Sequence, residues 1–577
     1  MSEVSLRLKK LSPRQVLKSL ELAQKEGEAN LYGIEKEFAF VRACDLYPAQ
    51  KIGKQSAYKF ITSYGNIPYE LRTRIMPEVF DYMIEVITEP EFSYHQAVNE
   101  IMRMEANLWC ALSHIQNEFP NMDEILLSSG TLYKPAMIES DNIPEVWGRD
   151  KKAYLQEMVR RYGEKLTPQG MHGNISIPEP LIAYQYHHSD KKKERGSTGY
   201  VEYKNEIYIW LACRLRAFVS IIIGIEANSP FDYEIDGENV YTVITGYNSN
   251  RWARLPRIES TTHPMMLRNY RCFQSISRKL INKGVIIGAN NYMPVRPKGE
   301  RRLGEMPLSL ERACWLNDVI LDRYEIDSDP LLESLRNEDN LEFIEKLEIA
   351  EKNGWLLKKG YTLDELIKLW QKENVRRLLA VPLNRIEIRC EESGGVYEFE
   401  LAKCAFIMTL CLYFFTDPEF GAKFNYGKKD LKDVVHNEDM AMKSGLNCTI
   451  FHPFTKNKVL LRDFLKETLD TLEDFAREIG TFKDLRPIYE LAQGEKNEAE
   501  KKIHSILKYL GKNPARTTSG NIIVPEEFIK NTLIKRREYL LKQLSSELGW
   551  DMDEEKIFYE MSENFSLNRT GGNYGEI

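Results

Sequence analysis

Three short segments alternate polar and apolar residues strictly, and each puts ionisable groups on one side of a strand. They are Gly33-Ile34-Glu35-Lys36-Glu37-Phe38-Ala39-Phe40, Met171-His172-Gly173-Asn174-Ile175-Ser176-Ile177 and Arg385-Ile386-Glu387-Ile388-Arg389. Successive side chains of a strand point to opposite faces. Glu35 and Glu37 therefore share a face, as do His172, Asn174 and Ser176, and likewise Arg385, Glu387 and Arg389. Joined in one sheet, these strands make a surface of hard oxygen ligands, an imidazole and guanidinium groups. Such a surface suits divalent cations, nucleotide phosphates and a carboxylate substrate.

The electrostatics of that surface narrow the choice. Two carboxylates about 4 Å apart repel by roughly 4 kcal/mol at an effective dielectric near 20. A face carrying Glu35, Glu37 and Glu387 needs bound cations to stay ionised, and magnesium fits because it takes oxygen ligands and bridges to phosphates. Glu85 strengthens the case, since it lies among Met83, Ile84, Val86 and Ile87, where an unpaired charge is expensive. Exposed strands also carry Glu-x-Glu pairs, so the pattern alone leaves a solvated face open. The basic counterpart is Tyr292-Met293-Pro294-Val295-Arg296-Pro297-Lys298, continuing through Arg301 and Arg302. Its prolines stiffen the backbone and aim the cations, as a phosphate-holding turn or a solvated charged turn would. No P-loop is present: Gly421 to Lys428 has one residue too many and lacks the following Ser or Thr. ATP, if used, is held another way.

The whole chain of 577 residues allows a large core and more than one unit. Its 43% hydrophobic and 29% charged residues are ordinary for a globular protein, and a net charge of -7 offers no attraction to nucleic acid or an anionic membrane. The nine cysteines are scattered without a C-x-x-C pair, which suits free, buried thiols in a reducing cytoplasm. Cys404 and Cys411, two helical turns apart, are expected to face the core. The first ten residues have no apolar signal core, and the apolar run from Ala405 to Phe415 reads as too short to span a bilayer. The expectation is a soluble cytoplasmic protein.

Periodicity predicts a helix over residues 10–30, with Leu17, Leu20 and Leu22 among its apolar positions, and a strand over 78–88. Further helices are predicted over 93–118, 150–163 and 204–225. Residues 183–199, with His187-His188 and three consecutive lysines, read as a polar loop. Adjacent histidines on a strand would point apart, so no metal site is expected there. Leu-, Glu- and Lys-rich helical patterns between 316 and 383 read as an insertion between two strands of the core. It could lid the site, join subunits or do neither. The chain after 417 is expected to be helical, with Leu461, Leu465, Leu472, Phe475 and Ile479 forming an amphipathic core face. This divides the chain into a core of 1–417 and a helical region of 418–577 packed on it, with a mobile tail from about Ser562.

In order and spacing, these segments resemble the bacterial-type glutamate–cysteine ligases, distant relatives of glutamine synthetase. The family's Gly-hydrophobic-Glu-x-Glu is met by Gly33 to Glu37. An acid, six residues, then Glu-hydrophobic-Ile-Thr is met by Glu78 and Glu85 to Thr88, with Glu78 where the family often has Asp. Gly-hydrophobic-His-x-Asn-hydrophobic-Ser fits Gly170 to Ser176, and upstream Gly148-Arg149 and Tyr154 through Gly163 also match. Tyr292-x-Pro-x-Arg-Pro-Lys298, followed by Gly304-Glu305-Met306-Pro307, is a fourth match, and Ile386 to Arg389 a fifth.

The resemblance covers residues 30–415 apart from the insertion. It implies an α+β fold, in which a curved, largely antiparallel sheet forms a funnel-shaped site with helices packed outside. It implies ATP- and magnesium-dependent ligation of glutamate to cysteine, giving γ-glutamylcysteine, the first step of glutathione biosynthesis. Glu35, Glu37, Glu78, Glu85, His172 and Glu387 would hold two or three magnesium ions (manganese being the alternative) around the triphosphate. Lys298, Arg296 and Arg389 would contact ATP, with Arg389, Lys298 and Glu387 serving phosphoryl transfer. Arg251 would hold the glutamate α-carboxylate, Tyr154 and Tyr292 would line the cysteine pocket, and Asn174 would contact substrate. Pro256-Arg257 departs from the family, which usually has a tyrosine there. That leaves open a ligase of the same fold with another amine acceptor; a non-catalytic nucleotide- or amino-acid-binding relative fits less well, because every acidic ligand is retained. The partners implied are small molecules, with the protein a monomer or small homo-oligomer.

Overall fold

A seven-stranded antiparallel sheet organises the chain. Its strands are β1 (Tyr32–Arg42), β2 (Ile75–Pro77), β3 (Met83–Ile87), β4 (Ile125–Ser128), β5 (Met171–Ile175), β6 (Val295–Gly299) and β7 (Leu383–Glu391). Across the sheet the order is β6-β7-β5-β1-β3-β2, and β4 pairs with the far end of β1. The computed structural model describes residues 6, 8–26, 31–138, 143–144, 155, 159, 162–195, 200–255, 294–299, 383–392, 396–420 and 428–548. Tyr154, Tyr292, Pro256-Arg257, the 316–383 insertion up to residue 382 and the tail after Ser562 lie outside them.

Strict alternation separates the two faces of this sheet. Ile34, Phe38, Ile84, Val86, Ile386 and Ile388 are buried on the back face, where they meet the helix Tyr94–Glu118 and its neighbours. That helix starts at a capping box in which Ser93 and Gln96 satisfy each other's backbone donors. Tyr94, Val98, Ile101, Glu105, Leu108, Leu112 and Ile115 then fall on its buried side at three- and four-residue steps. Lys36 also points backward, and its charge is met there: Nζ lies 2.6 Å from Glu105. Arg536, from the helix Glu526–Leu548, grips the same carboxylate with two hydrogen bonds of 2.7 and 2.9 Å. Burial alone would raise Glu105, but Arg536 and then Lys36 outweigh it and hold the carboxyl down at about 2.

The described residues after 417 are mainly helical, and their helices share the sheet's core: one apolar cluster extends from Leu11 to Leu541. In the helix Leu461–Ile479, Leu461, Leu465, Leu472 and Phe475 are buried and Ile479 is partly so. Gly480, at φ 85°, ends it in the left-handed conformation that glycine adopts without steric cost.

Several local expectations change. The first helix runs from Pro13 to Lys25 and buries Val16, Ser19 and Ala23; Leu17 and Leu20 are half-buried and Leu22 is exposed. The predicted 78–88 strand is a hairpin end instead. Glu78 N–H donates to the Met83 carbonyl at 3.0 Å, so residues 78–82 turn the chain and only Met83–Ile87 is extended. Of the stretch 183–199 expected as a loop, residues 183–195 are mostly helical, in Glu179–His187 and Asp190–Arg195, and 196–199 lie outside the described residues. Pro180 starts the first of these, and lysine and glutamate favour helix even in a polar stretch. The 204–225 pattern becomes two helices, Tyr200–Leu215 and Val219–Glu226, joined by a tight turn at Arg216–Phe218. Glu206–Glu226 and Tyr397–Thr416 are each long and apolar enough to cross a membrane, which corrects the reading of the Ala405 to Phe415 run. Both are largely buried inside the protein, as core helices are. Cys404 and Cys411 lie on the second and are buried, and the described cysteines are all free thiols.

Candidate active site

The front face of the sheet gathers the ionisable residues. Register sets them opposite one another: Glu37 faces Glu85 across β1 and β3, Glu35 faces His172 across β1 and β5, and Asn174 faces Glu387 across β5 and β7. Arg296 and Lys298 occupy positions of β6 opposite Glu387 and Arg385, so the edge strand adds two basic positions to this face. Glu78 joins from the hairpin turn. Five segments far apart in sequence thus converge.

His172 is at the centre. Its Nδ1 lies 3.7 Å from both Glu35 and Glu387, and its Nε2 lies 3.8 Å from Glu37. These separations are longer than hydrogen bonds, and buried Nε2 has no hydrogen-bond partner among the described residues. Burial, reinforced by Arg389, pushes the imidazole down to about 4, so it is neutral at physiological pH and keeps a lone pair. Glu37 shows the opposite strain. Burial and then Glu78 push its carboxyl up to about 8, although Arg251 and Arg389 pull the other way and Gly170 N–H donates to it at 2.7 Å.

These side chains form two groups suited to cations, Glu35–Glu85–His172 and Glu37–Glu78–Glu85, in each of which the donor atoms lie within 4.8 Å of one another. Ligands on one octahedral magnesium, with bonds of about 2.1 Å, stand about 3 to 4.2 Å apart. The donor set fits on three counts: it is mostly carboxylate oxygen, its histidine is neutral with an orphaned nitrogen, and Glu85 belongs to both groups and can bridge them. Glu387 belongs to neither, but adjoins the first through His172 and lies 3.6 Å from Arg389.

Asn174 uses both ends of its amide, donating to Glu35 at 3.1 Å and accepting from Arg385 Nε at 3.1 Å. Arg251 is fully buried, and its guanidinium donates to the Arg389 carbonyl at 3.2 and 3.3 Å. It lies against Gly170, where a Cβ would come within 1.9 Å of Arg251 Nη2. Gly170 therefore touches both Glu37 and Arg251, and only its place in a motif hinted at that. Arg385 was legible as a face residue but not as a support for Asn174. The side chains of Arg296 and Lys298, with Tyr154 and Tyr292, lie outside the described residues. His187 and His188 sit at the end of a helix and belong to neither of the two donor groups.

Comparison with known proteins follows the same line. No family model matches the chain. Proteins provisionally named glutamate–cysteine ligase 2, from Paraburkholderia phytofirmans and Paraburkholderia xenovorans, are each 23% identical over 289 residues. The match covers 49% of this chain and 64% of the length of these relatives. The crystal structure of glutamate–cysteine ligase from Francisella tularensis, solved with AMP, superposes with a TM-score of 0.54 at 13% identity, covering 93% of this chain and 98% of that one. The chain is similar in sequence to these ligases over half its length and shares the fold of the Francisella protein. A bifunctional glutathione synthetase from Pasteurella multocida shares the fold of these ligases too, with a TM-score of 0.53 and 13% identity over 92% of this chain and 55% of its own. The fold is accordingly α+β, an antiparallel sheet with helices packed outside.

Proposed function

We propose that this protein is an ATP-dependent ligase that joins the γ-carboxylate of L-glutamate to the amine of L-cysteine. The observation that carries this reading is the pair of carboxylate groups on one sheet face, sharing Glu85 and completed by a neutral histidine with an orphaned nitrogen. The sequence relatives and the fold support it, as does the AMP bound by the Francisella protein.

In this reading Glu35, Glu37, Glu78, Glu85 and His172 hold magnesium, with Glu387 beside them. Magnesium supplies charge neutralisation and a template for the triphosphate. Phosphoryl transfer to the glutamate γ-carboxylate gives an acyl phosphate and ADP, and it needs positioning and charge compensation more than covalent help. Arg389, held against Glu387, aims positive charge at the migrating phosphoryl oxygens, and Lys298 serves the same end from the edge strand. Arg251, anchored on the Arg389 carbonyl, holds the donor's α-carboxylate. The neutral amine of cysteine then attacks the acyl carbon and phosphate leaves. Free thiols at the described cysteines suit a cytoplasmic setting for a thiol substrate.

The test is ADP release with ATP, magnesium, glutamate and a panel of amines, with products weighed by mass spectrometry. Cysteine-dependent γ-glutamylcysteine is the expected result. An adduct with another amine would move the assignment to a different ligase, the reading that Pro256-Arg257 favours. No turnover would leave a binding protein.

A further inference from the structure

Beneath Arg251 lies a buried carboxylate that the reaction above does not use. Glu392 follows directly after β7, the strand of Glu387 and Arg389, and is 2% exposed. It accepts hydrogen bonds from Asn228 N–H at 2.8 Å, from the Ser229 hydroxyl at 3.1 Å and from the Ser249 hydroxyl. Both hydroxyls pass the interaction on. Ser229 Oγ accepts the Arg251 N–H at 3.0 Å, and Ser249 Oγ accepts the Trp252 N–H at 3.1 Å, capping the helical turn Asn250–Arg254. A hydroxyl has one donor and free lone pairs. By taking the proton of each serine, the carboxylate turns the lone pairs of both toward the backbone of Arg251 and Trp252.

Glu392 is itself fixed through its main chain. Its N–H donates to Glu226 at 3.1 Å and its carbonyl accepts from Lys403 Nζ at 2.9 Å. Lys403 in turn lies 2.8 Å from Glu226 and 2.6 Å from Glu400, all deep in the core. The support therefore runs from core helices, through the end of β7, to the turn that carries Arg251, and closes where the Arg251 guanidinium returns to the Arg389 carbonyl.

We propose that Glu392 is a positioning residue, setting the guanidinium of Arg251 relative to Arg389 by orienting the hydroxyls of Ser229 and Ser249. The inference rests on the reading that Arg251 holds the donor's α-carboxylate. A carboxylate is needed because three donors converge on it; an amide turns one acceptor into a donor facing another donor.

Isothermal titration of L-glutamate into the full chain, with magnesium and a non-hydrolysable ATP analogue present, tests it. In Glu392→Gln the glutamate affinity falls about tenfold or more while affinity for the analogue stays within about twofold. Ser229→Ala keeps the carboxylate, removes only the hydroxyl link, and gives the same split at smaller size, which covers the case of a poorly folding Glu392→Gln. Arg251→Ala is the reference. If the wild-type protein does not bind glutamate, or Arg251→Ala binds it unchanged, the donor-site reading falls and this proposal with it. If Arg251→Ala is weakened while Glu392→Gln and Ser229→Ala match the wild type, this proposal alone is overturned. Equal loss for glutamate and analogue also overturns it.

Discussion

Glu37 and His172 are neighbours with opposite strains, and each gives a sign to pH dependence. With its carboxyl raised to about 8, Glu37 binds a proton in the fold that it releases in the unfolded chain above its ordinary value near 4.5. Without cations, its contribution to stability is full below 4.5 and is lost as pH rises through 8. The depressed imidazole of His172 contributes stability above its ordinary 6.5, lost as pH falls through about 4. A cation displaces the Glu37 proton. Magnesium binding at pH 7 is therefore expected to release protons, read as a dependence of calorimetric heat on buffer ionisation enthalpy; heats independent of the buffer would contradict this. Glu37→Gln or Glu387→Gln should lower ligation by about 100-fold or more and leave the melting temperature near that of the wild type. Near-normal turnover by both at saturating magnesium would remove the metal assignment. Gly170→Ala is expected to act through the site rather than the fold. Its Cβ would occupy the place of the Arg251 guanidinium, so turnover falls at least tenfold while circular dichroism is unchanged.

At the scale of elements, the back of the sheet carries a load that the front depends on. Lys36 lies between Glu35 and Glu37 in sequence but faces the other way, locked to Glu105 and through it to Arg536. Arg536→Met leaves part of a buried charge uncompensated and should cost up to about 3–5 kcal/mol, seen as a lower urea midpoint. Glu105 is held near 2, so its stabilisation is full above its ordinary 4.5 and lost as pH falls through 2. Glu105→Gln should flatten the acid limb of the stability curve in that window; an unchanged limb would contradict the pairing. Alternation made these strands legible, because a period of two fixes both faces at once. It missed the turn at Glu78, where a five-residue reversal continues an apolar pattern. It also took residues 183–195 for a loop, because polarity masked good helix formers. Glu392 was illegible for another reason: its carboxylate's partners are two serine hydroxyls and one backbone amide more than 140 residues away.

Across the whole molecule, the C-terminal helices are joined to the rest of the protein by chemistry as well as by packing. Arg536 reaches the Lys36–Glu105 pair, Tyr94 donates to Asp484, and Ile522–Ile523 adds a strand to the hairpin of residues 231–244. Truncation after residue 460 should therefore lose the fold and not merely a region, with loss of the near-ultraviolet circular dichroism signal as the readout. The proposed chemistry requires distant acidic segments to converge and hold cations beneath a triphosphate. Manganese, which takes the same oxygen ligands as magnesium, makes that convergence visible in anomalous diffraction from crystals grown with an ATP analogue. Peaks are predicted within about 2.5 Å of Glu85, one shared with Glu35 and His172 and one with Glu37 and Glu78. A map with nucleotide bound and no manganese peak at either group would contradict it.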